Sequence, residues 1–338
     1  MKLYGGIDLH STNSVVVVTD EQDTVVYRKR LPNDLETILG ALEPYREYLD
    51  GLVVESTYNW YWLVDGLMEA GHRVHLANTA AIQQYDGLKY SDDDTDARWL
   101  AKLLRLGLLP EGYIYPKAQR SLRDLLRKRS QLVHQHTANL LSVQNLVTRN
   151  RGTSISANEV NRLEFEEIER MFESEPLFLA LASTVAVMRT QHEMIDLIEN
   201  VARRYLKYSA ALKRLLTVNG IGEVLGLTIL LETGDIKRFE RVGNYVSYCR
   251  CVDSKRISNG KTKGRGNRKN GNKYLAWAFV EAANFAVRYE PRIKRYYQRK
   301  RSRRNGIIAI KTVAHKLARA CYFILRDSVV FDVEKAFT

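Results

Sequence analysis

The 338-residue sequence has no apolar run near the roughly 20 residues that cross a bilayer, so no segment reads as a membrane-spanning helix. Its opening, MKLYGGIDLH, lacks the apolar stretch of a secretory signal and reads as a first strand. Cysteine is scarce. Cys249, Cys251 and Cys321 are too few and too unevenly spaced for a disulfide framework, and the close pair has no second pair or nearby histidine to complete a zinc site. They read as small packing residues in a reducing, cytoplasmic compartment. Two strongly basic stretches, 255–273 and 292–304, contain no acidic side chain.

That local absence is one end of a charge gradient. Residues 1–115 carry 10 basic and 18 acidic side chains, residues 116–205 carry 13 and 11, and residues 206–338 carry 29 and 10, within an overall charge of +13. An acidic unit able to attract cations is therefore joined to one suited to phosphates. Nucleic acid is the expected partner, since no basic amphipathic anchor for a membrane surface is present.

Length and pattern divide the chain into three segments. In 1–115, the stretches 3–7, 14–18 and 25–31 are short and rich in β-branched residues, with turn formers between them, as in antiparallel hairpins. A helical spacing over 35–49 closed by Gly51, a strand at 52–54, a helix over 60–70 closed by Gly71, a strand at 74–76 and a helix over 97–106 follow. Three hairpin-linked strands followed by strand–helix alternation point to a ribonuclease-H-like α/β domain. A doubly wound nucleotide-binding fold would need a helix directly after the first strand. Pro116 marks a boundary. The segment 116–205 then reads as long helices over 121–148, 159–173 and 177–208, which either space two domains or assemble protomers. In 206–338, Gly220-Ile221-Gly222 lies between two apolar helical patterns, as in a helix-hairpin-helix whose glycines let backbone N–H groups approach a phosphate.

Four acids stand out by location. Asp8 ends the first strand, Glu55 ends the fourth, and Asp93 and Asp96 open a helix in SDDDTDARWLAKLL, three apart and so on one face. Adjacent strand ends would bring Asp8 and Glu55 to the same edge. Clustered carboxylates cannot all ionise without a compensating cation. Magnesium favours such oxygen ligands, and paired ions clamp the attacking and leaving oxygens of a phosphodiester. His10 reads as a neighbour of the site, because magnesium prefers oxygen. The innocent reading of Asp93 and Asp96 is a capped first helical turn.

Downstream, CRCVDSKRISNGKTKGRGNRKNGNKYLAWAF concentrates Lys255, Arg256, Lys261, Lys263, Arg265, Arg268, Lys269 and Lys273 among glycines and small polar residues. Read alone it is a flexible basic loop that can mould itself to a phosphate backbone, anchored by an apolar helix over 274–288. The run Arg292–Arg304 adds eight more basic residues. Ser258 and Ser254 both lie in this setting, and a serine hydroxyl there needs cations and a base or metal to attack a phosphate.

GIDLH, VVEST, DxxDARWLA, VNGIGEVLGLTILLETGDIKRF and SNGKTKGRGNRKNGNKYLAWAF, in this order, resemble the insertion-sequence-one-ten family of DEDD transposases, relatives of Piv-type DNA invertases. The resemblance implies a RuvC-like domain binding Mg2+ through Asp8, Glu55, Asp93 and Asp96, a coiled-coil middle, and a mainly helical C-terminal domain with Ser258 as nucleophile. Ser258 is favoured over Ser254 although the sequence reads ISNGK where many relatives have SG. It further implies a tetramer acting on donor and target DNA under an element-encoded bridge RNA, in the nucleoid of a bacterium or archaeon. The rival is a metal-dependent Holliday-junction-resolvase-like nuclease that uses water and has no need of Ser258.

Overall fold

Four consecutive valines, Val15–Val18, are fully buried, and they belong alternately to two different apolar clusters. A strand with no polar face needs cover on both sides, and helices supply it. The computed structural model describes residues 1–82, 93–205, 209–252, 255–265 and 270–338, with backbone alone for 255–257 and 265. The chain divides into two compact units, Met1–Lys117 and Ala118–Thr338.

In the first unit, β1 (Leu3–Leu9), β2 (Asn13–Thr19) and β3 (Val25–Pro32) form an antiparallel meander. After α1 (Leu35–Leu42), β4 (Leu49–Glu55) joins the other edge of β1 in parallel, and after α2 (Tyr61–Glu69), β5 (Val74–Ala77) joins β4 in parallel. The sheet order is β3-β2-β1-β4-β5, because connections of three and five residues force antiparallel neighbours and helical crossovers permit parallel ones. Ile7, Leu9, Val16, Val18, Leu52 and Val54 pack with Ile38, Leu63 and Leu67 on one face. On the other face α3 (Asp93–Arg105) covers Val15, Val17 and Val53 through Ala97, Leu100 and Leu103.

Gly6 sets how closely α3 can lie. A Cβ at this position would fall 1.9 Å from the Ala97 carbonyl oxygen and 3.0 Å from the Ala101 nitrogen, so only glycine admits the helix backbone here. One expected element is shorter than its apolar spacing suggests. The helix expected over 35–49 stops at Leu42, where Pro44 removes an N–H donor and a short 3-10 turn over 43–45 follows. Gly51, expected to close it, lies inside β4, where a Cβ would sit 3.1 Å from Leu104 and 3.2 Å from the His75 ring.

The second unit opens with α4 (Lys117–Arg151). α5 (Ala157–Val160) and α6 (Phe165–Met171) reverse the chain, each begun by a capping box, and divide what the sequence suggested as one helix over 159–173. α7 (Glu175–Arg204) returns antiparallel to α4: Val147 clusters with Leu181, Asn139 bonds Gln191, and Arg129 pairs with Glu199 at 2.6 Å. Then come α8 (Ala210–Leu215), α9 (Glu223–Thr233) and α10 (Val242–Tyr248), the two-stranded β6 (Lys255–Ser258) and β7 (Lys261–Arg265), and α11 (Lys273–Tyr289), α12 (Pro291–Arg301), α13 (Gly306–Asp327) and α14 (Val333–Ala336). The core of this half joins Leu215, Ile229, Tyr245, Phe279, Leu317 and Tyr322. Among the described residues no helix is long and apolar enough to cross a membrane.

Candidate active site

Strand parity aims two acids at α3. Leu3, Ile7 and Leu9 face the α1–α2 side, so Asp8 points the other way, and Glu55 shares the parity of Val53 beneath α3. Ile7 is paired with Val54 across the parallel strands, which puts Asp8 level with Glu55 at adjoining strand ends. Asp8 is only 4% exposed. The Gly6–Ala97 approach brings the first turn of α3, with Asp93, Asp94 and Asp96, onto the same edge, where the helix dipole favours negative charge.

The acids of this edge fall into two electrostatic settings. Burial pushes the Glu55 carboxyl up to about 8, reinforced by its hydrogen bond with Asp8 and by the charges of Asp8 and Asp96. Asp93 behaves oppositely. A hydrogen bond from Arg30 of β3, with the nearby His10 ring, holds it below the ordinary carboxylate range. Arg28 pairs with Asp94 at 3.2 Å. Asp8, Glu55 and Asp96 therefore form the inner part of the cluster and Asp93 its rim. Asp92, the first of the three consecutive aspartates, lies outside the described residues.

His10 stands closer to this site than the expectation of a mere neighbour. Its Nε2 lies 3.3 Å from Asp8 Oδ2 and 3.2 Å from Asp93 Oδ2, and one ligand atom from each of the three residues falls within 4.8 Å of the others. That nitrogen is buried yet makes no hydrogen bond among the described residues. An orphaned imidazole nitrogen beside two carboxylate oxygens fits a divalent cation, which would take all three as ligands. The backbone carbonyl of His10 is fixed by the side-chain amides of Asn33 at 2.9 Å and Asn59 at 3.0 Å. Arg30, Asn33 and Asn59 were not legible as site residues, since their roles depend on strand pairing.

The basic segment is more ordered than its composition suggests. Residues 255–265, expected as a flexible loop, form a hairpin in which Ser258 pairs with Lys261 around Asn259-Gly260. Both turn residues have positive φ, +49° and +69°, the geometry of the tight turn that Asn-Gly favours. Ser258, Lys261 and Lys263 are exposed. Lys255 and Arg256 lie on β6 and Arg265 ends β7, while Ser254, Arg268 and Lys269 lie outside the described residues. Lys273, exposed, opens α11.

The two glycines expected at a phosphate have different surroundings. Gly220 has φ +89°, and a Cβ there would fall 2.2 Å from the Ala282 carbonyl of α11, so this glycine serves helix packing. Gly222 caps α9 and has no described atom within 4 Å of its Cβ position, which leaves it accessible. A buried ionic network escaped sequence reading. Glu232, 2% exposed, receives Arg123 Nε at 3.0 Å, Arg127 Nη2 at 2.8 Å and Asn272 Nδ2 at 2.6 Å. Asn272 also caps α11 and donates its backbone N–H to the Tyr248 carbonyl at 2.6 Å, which ties the C-terminal root of the basic segment to α4 and α9.

Comparison with known proteins adds a family to this geometry. Residues 5–150 match the DEDD-type transposase model of IS110 elements, and residues 212–298 match the model described as transposase IS116/IS110/IS902 family. Over 241 residues the chain is 25% identical to a protein of Sinorhizobium fredii named as transposase y4qE, an alignment covering 70% of this chain and 57% of that protein. It thus spans little more than half the length of that relative. Over 341 aligned residues it is 23% identical to a protein of Pseudomonas aeruginosa named as a family 20 transposase, with 95% and 96% of the two chains covered. The chain belongs to the IS110 family of transposases.

Proposed function

We propose that this chain cuts and exchanges DNA strands for an insertion sequence, with Asp8, Glu55, Asp93 and Asp96 holding Mg2+ in a RuvC-like domain and Ser258 as the nucleophile. The observation that carries the reading is a buried imidazole nitrogen, His10 Nε2, set between carboxylate oxygens of Asp8 on β1 and Asp93 on α3, with Glu55 of β4 hydrogen-bonded to Asp8. A divalent cation bound there would polarise the scissile phosphodiester and stabilise the departing oxygen. The residues prepare this role in stages. Burial and the neighbouring acids favour the protonated Glu55 carboxyl, so a cation bound there would displace that proton. Arg30 keeps Asp93 ionised at the rim.

In the proposed step the Ser258 Oγ–P bond forms as one P–O ester bond breaks. The serine proton passes to solvent or base, and the departing oxygen leaves as a hydroxyl. What supports Ser258 is its exposed place beside a tight turn in a segment of eight basic residues and no acid, where phosphates concentrate. Donor and target DNA are the substrates of this reading, and a bridge RNA supplies sequence choice by base pairing, the protein reading backbone and shape. Assembly as a homotetramer is part of the proposal. Its support is the exposed Leu141, Val187, Met194 and Leu197 along the antiparallel α4 and α7, apolar surface that suits a second copy.

The discriminating experiment is a covalent trap. With Mg2+ and cognate DNA, the parent protein should form a protein–DNA adduct at Ser258, and Ser258→Ala should form none and leave the DNA uncut. Undiminished cleavage by Ser258→Ala would favour the water-using, resolvase-like reading, which the same acids would equally support. An adduct mapped to Ser254 would move the nucleophile.

A further inference from the structure

A groove of about 830 Å3 runs between α4 and α11 of the second unit, and no step of the proposed reaction uses it. Arg127, Lys128 and His134 line it from α4, and Lys273, Tyr274 and Trp277 line it from α11. Its one acid is Asp124, so basic side chains dominate the wall. The aromatic groups are fixed in place. The Arg127 guanidinium lies 4.4 Å from the Tyr274 ring centroid, and the bond to Glu232 holds its plane from the far side. Trp277 is half-buried against the core, and the His134 ring meets it at 89° with centroids 6.3 Å apart.

We infer that this groove holds an unpaired nucleotide of a nucleic-acid strand, with Trp277 and Tyr274 as the platform for the base and Lys128 and Lys273 as the contacts to phosphate. Cations interleaved with aromatic rings are the recognition chemistry of unstacked bases, because every base offers a π-face and every linkage a negative charge. A duplex hides its bases and gains nothing from the rings. The volume suits a mononucleotide-sized ligand or slightly more. Continuity argues for a strand over a free nucleotide: Lys273 ends the run of eight basic residues that begins at Lys255. The inference rests on the reading that this chain handles nucleic acid, but not on its metal or its serine.

The test uses the full chain in chelator, where no strand can be cut, with single-stranded oligothymidylate, single-stranded oligouridylate, a duplex and a mononucleotide as probes. Trp277 is the one tryptophan beyond residue 99, so its fluorescence can be separated by difference. Single strands should quench it, and Trp277→Phe should lose that part of the quench. Trp277→Ala should weaken single-strand binding roughly tenfold, and Lys128→Glu, an exposed change that spares the core, should weaken it several-fold. Whichever of DNA or RNA shows the Trp277-dependent binding is the occupant. Parent-like binding of single strands by both Lys128→Glu and Trp277→Ala, or an equal loss for duplex and single strand, would overturn the inference. Asp8→Asn should leave this binding intact while strand cleavage is lost, so the two readings can fail separately.

Discussion

Glu55 and Glu232 are both glutamates drawn into the protein, and they have been treated in opposite ways. Around Glu232 burial pushes the carboxyl up, but the Arg127 hydrogen bond and the charges of Arg123 and Arg127 outweigh it and leave the group below its ordinary range. Around Glu55 burial acts with the neighbouring acids, and the carboxyl rises to about 8. Glu232 has its counter-charge built into the chain, whereas Glu55, in the proposed reading, takes it from a bound cation. That difference separates a carboxylate that holds structure from one that waits for a ligand.

The comparison breaks most severely if the inner acids prove dispensable. Asp8→Asn should lower strand cleavage by on the order of a thousandfold while nucleic-acid binding, read by gel shift, stays near parent level. Next, Glu232→Ala should leave the buried Arg123 and the half-buried Arg127 guanidinium groups short of their carboxylate and cost about 3–5 kcal/mol in chemical denaturation. The same experiment on Glu55→Gln should show the reverse sign without metal, a gain in stability at pH 8 to 9, because repulsion is removed.

The pH dependence follows from the same contrast. Glu55 binds its proton more tightly folded than unfolded, so its contribution to stability is complete at low pH and is lost as pH rises through about 8. The metal-free protein should therefore melt at falling temperature across that window, and Mg2+ should restore what is lost. A melting curve indifferent to both would mean the acids are compensated from within. The smallest effect compares the two glycines of the 220–222 turn. Gly220→Ala, strained by φ +89° and by the Ala282 carbonyl, should cost roughly 1–3 kcal/mol, whereas Gly222→Ala should stay within about 0.5 kcal/mol and reveal itself only in DNA affinity.

Much of the first unit could be read from the chain because its signals are local. Val15–Val18 between turn formers, Asp8 at the end of one such strand and Glu55 at the end of another fix both the strand pairing and the edge on which acids meet. Other features had no local signature. Arg123 and Arg127 lie more than a hundred residues from Glu232, and in the sequence Glu232 is merely an acid in the last turn of an apolar helix. The hairpin around Asn259-Gly260 did carry a local signal, the Asn-Gly pair. Its strands are rich in basic residues, so the alternation that marks a half-buried strand is absent, and charge alone reads as a loop. The helix expected over 35–49 misled for the opposite reason: apolar residues keep a helical rhythm past Pro44 although the backbone cannot.

Gly6 links the proposed site to the backbone in a way side-chain chemistry does not reveal. The separation between the strand bearing Asp8 and the helix bearing Asp96 is set by a missing methyl group, with the Ala97 carbonyl occupying its place. Adding that one carbon would wedge the two halves of the acidic set apart while leaving every acid present. The protein would keep its full complement of chemical groups and, in the proposed reading, lose the span across which they grip a single ion.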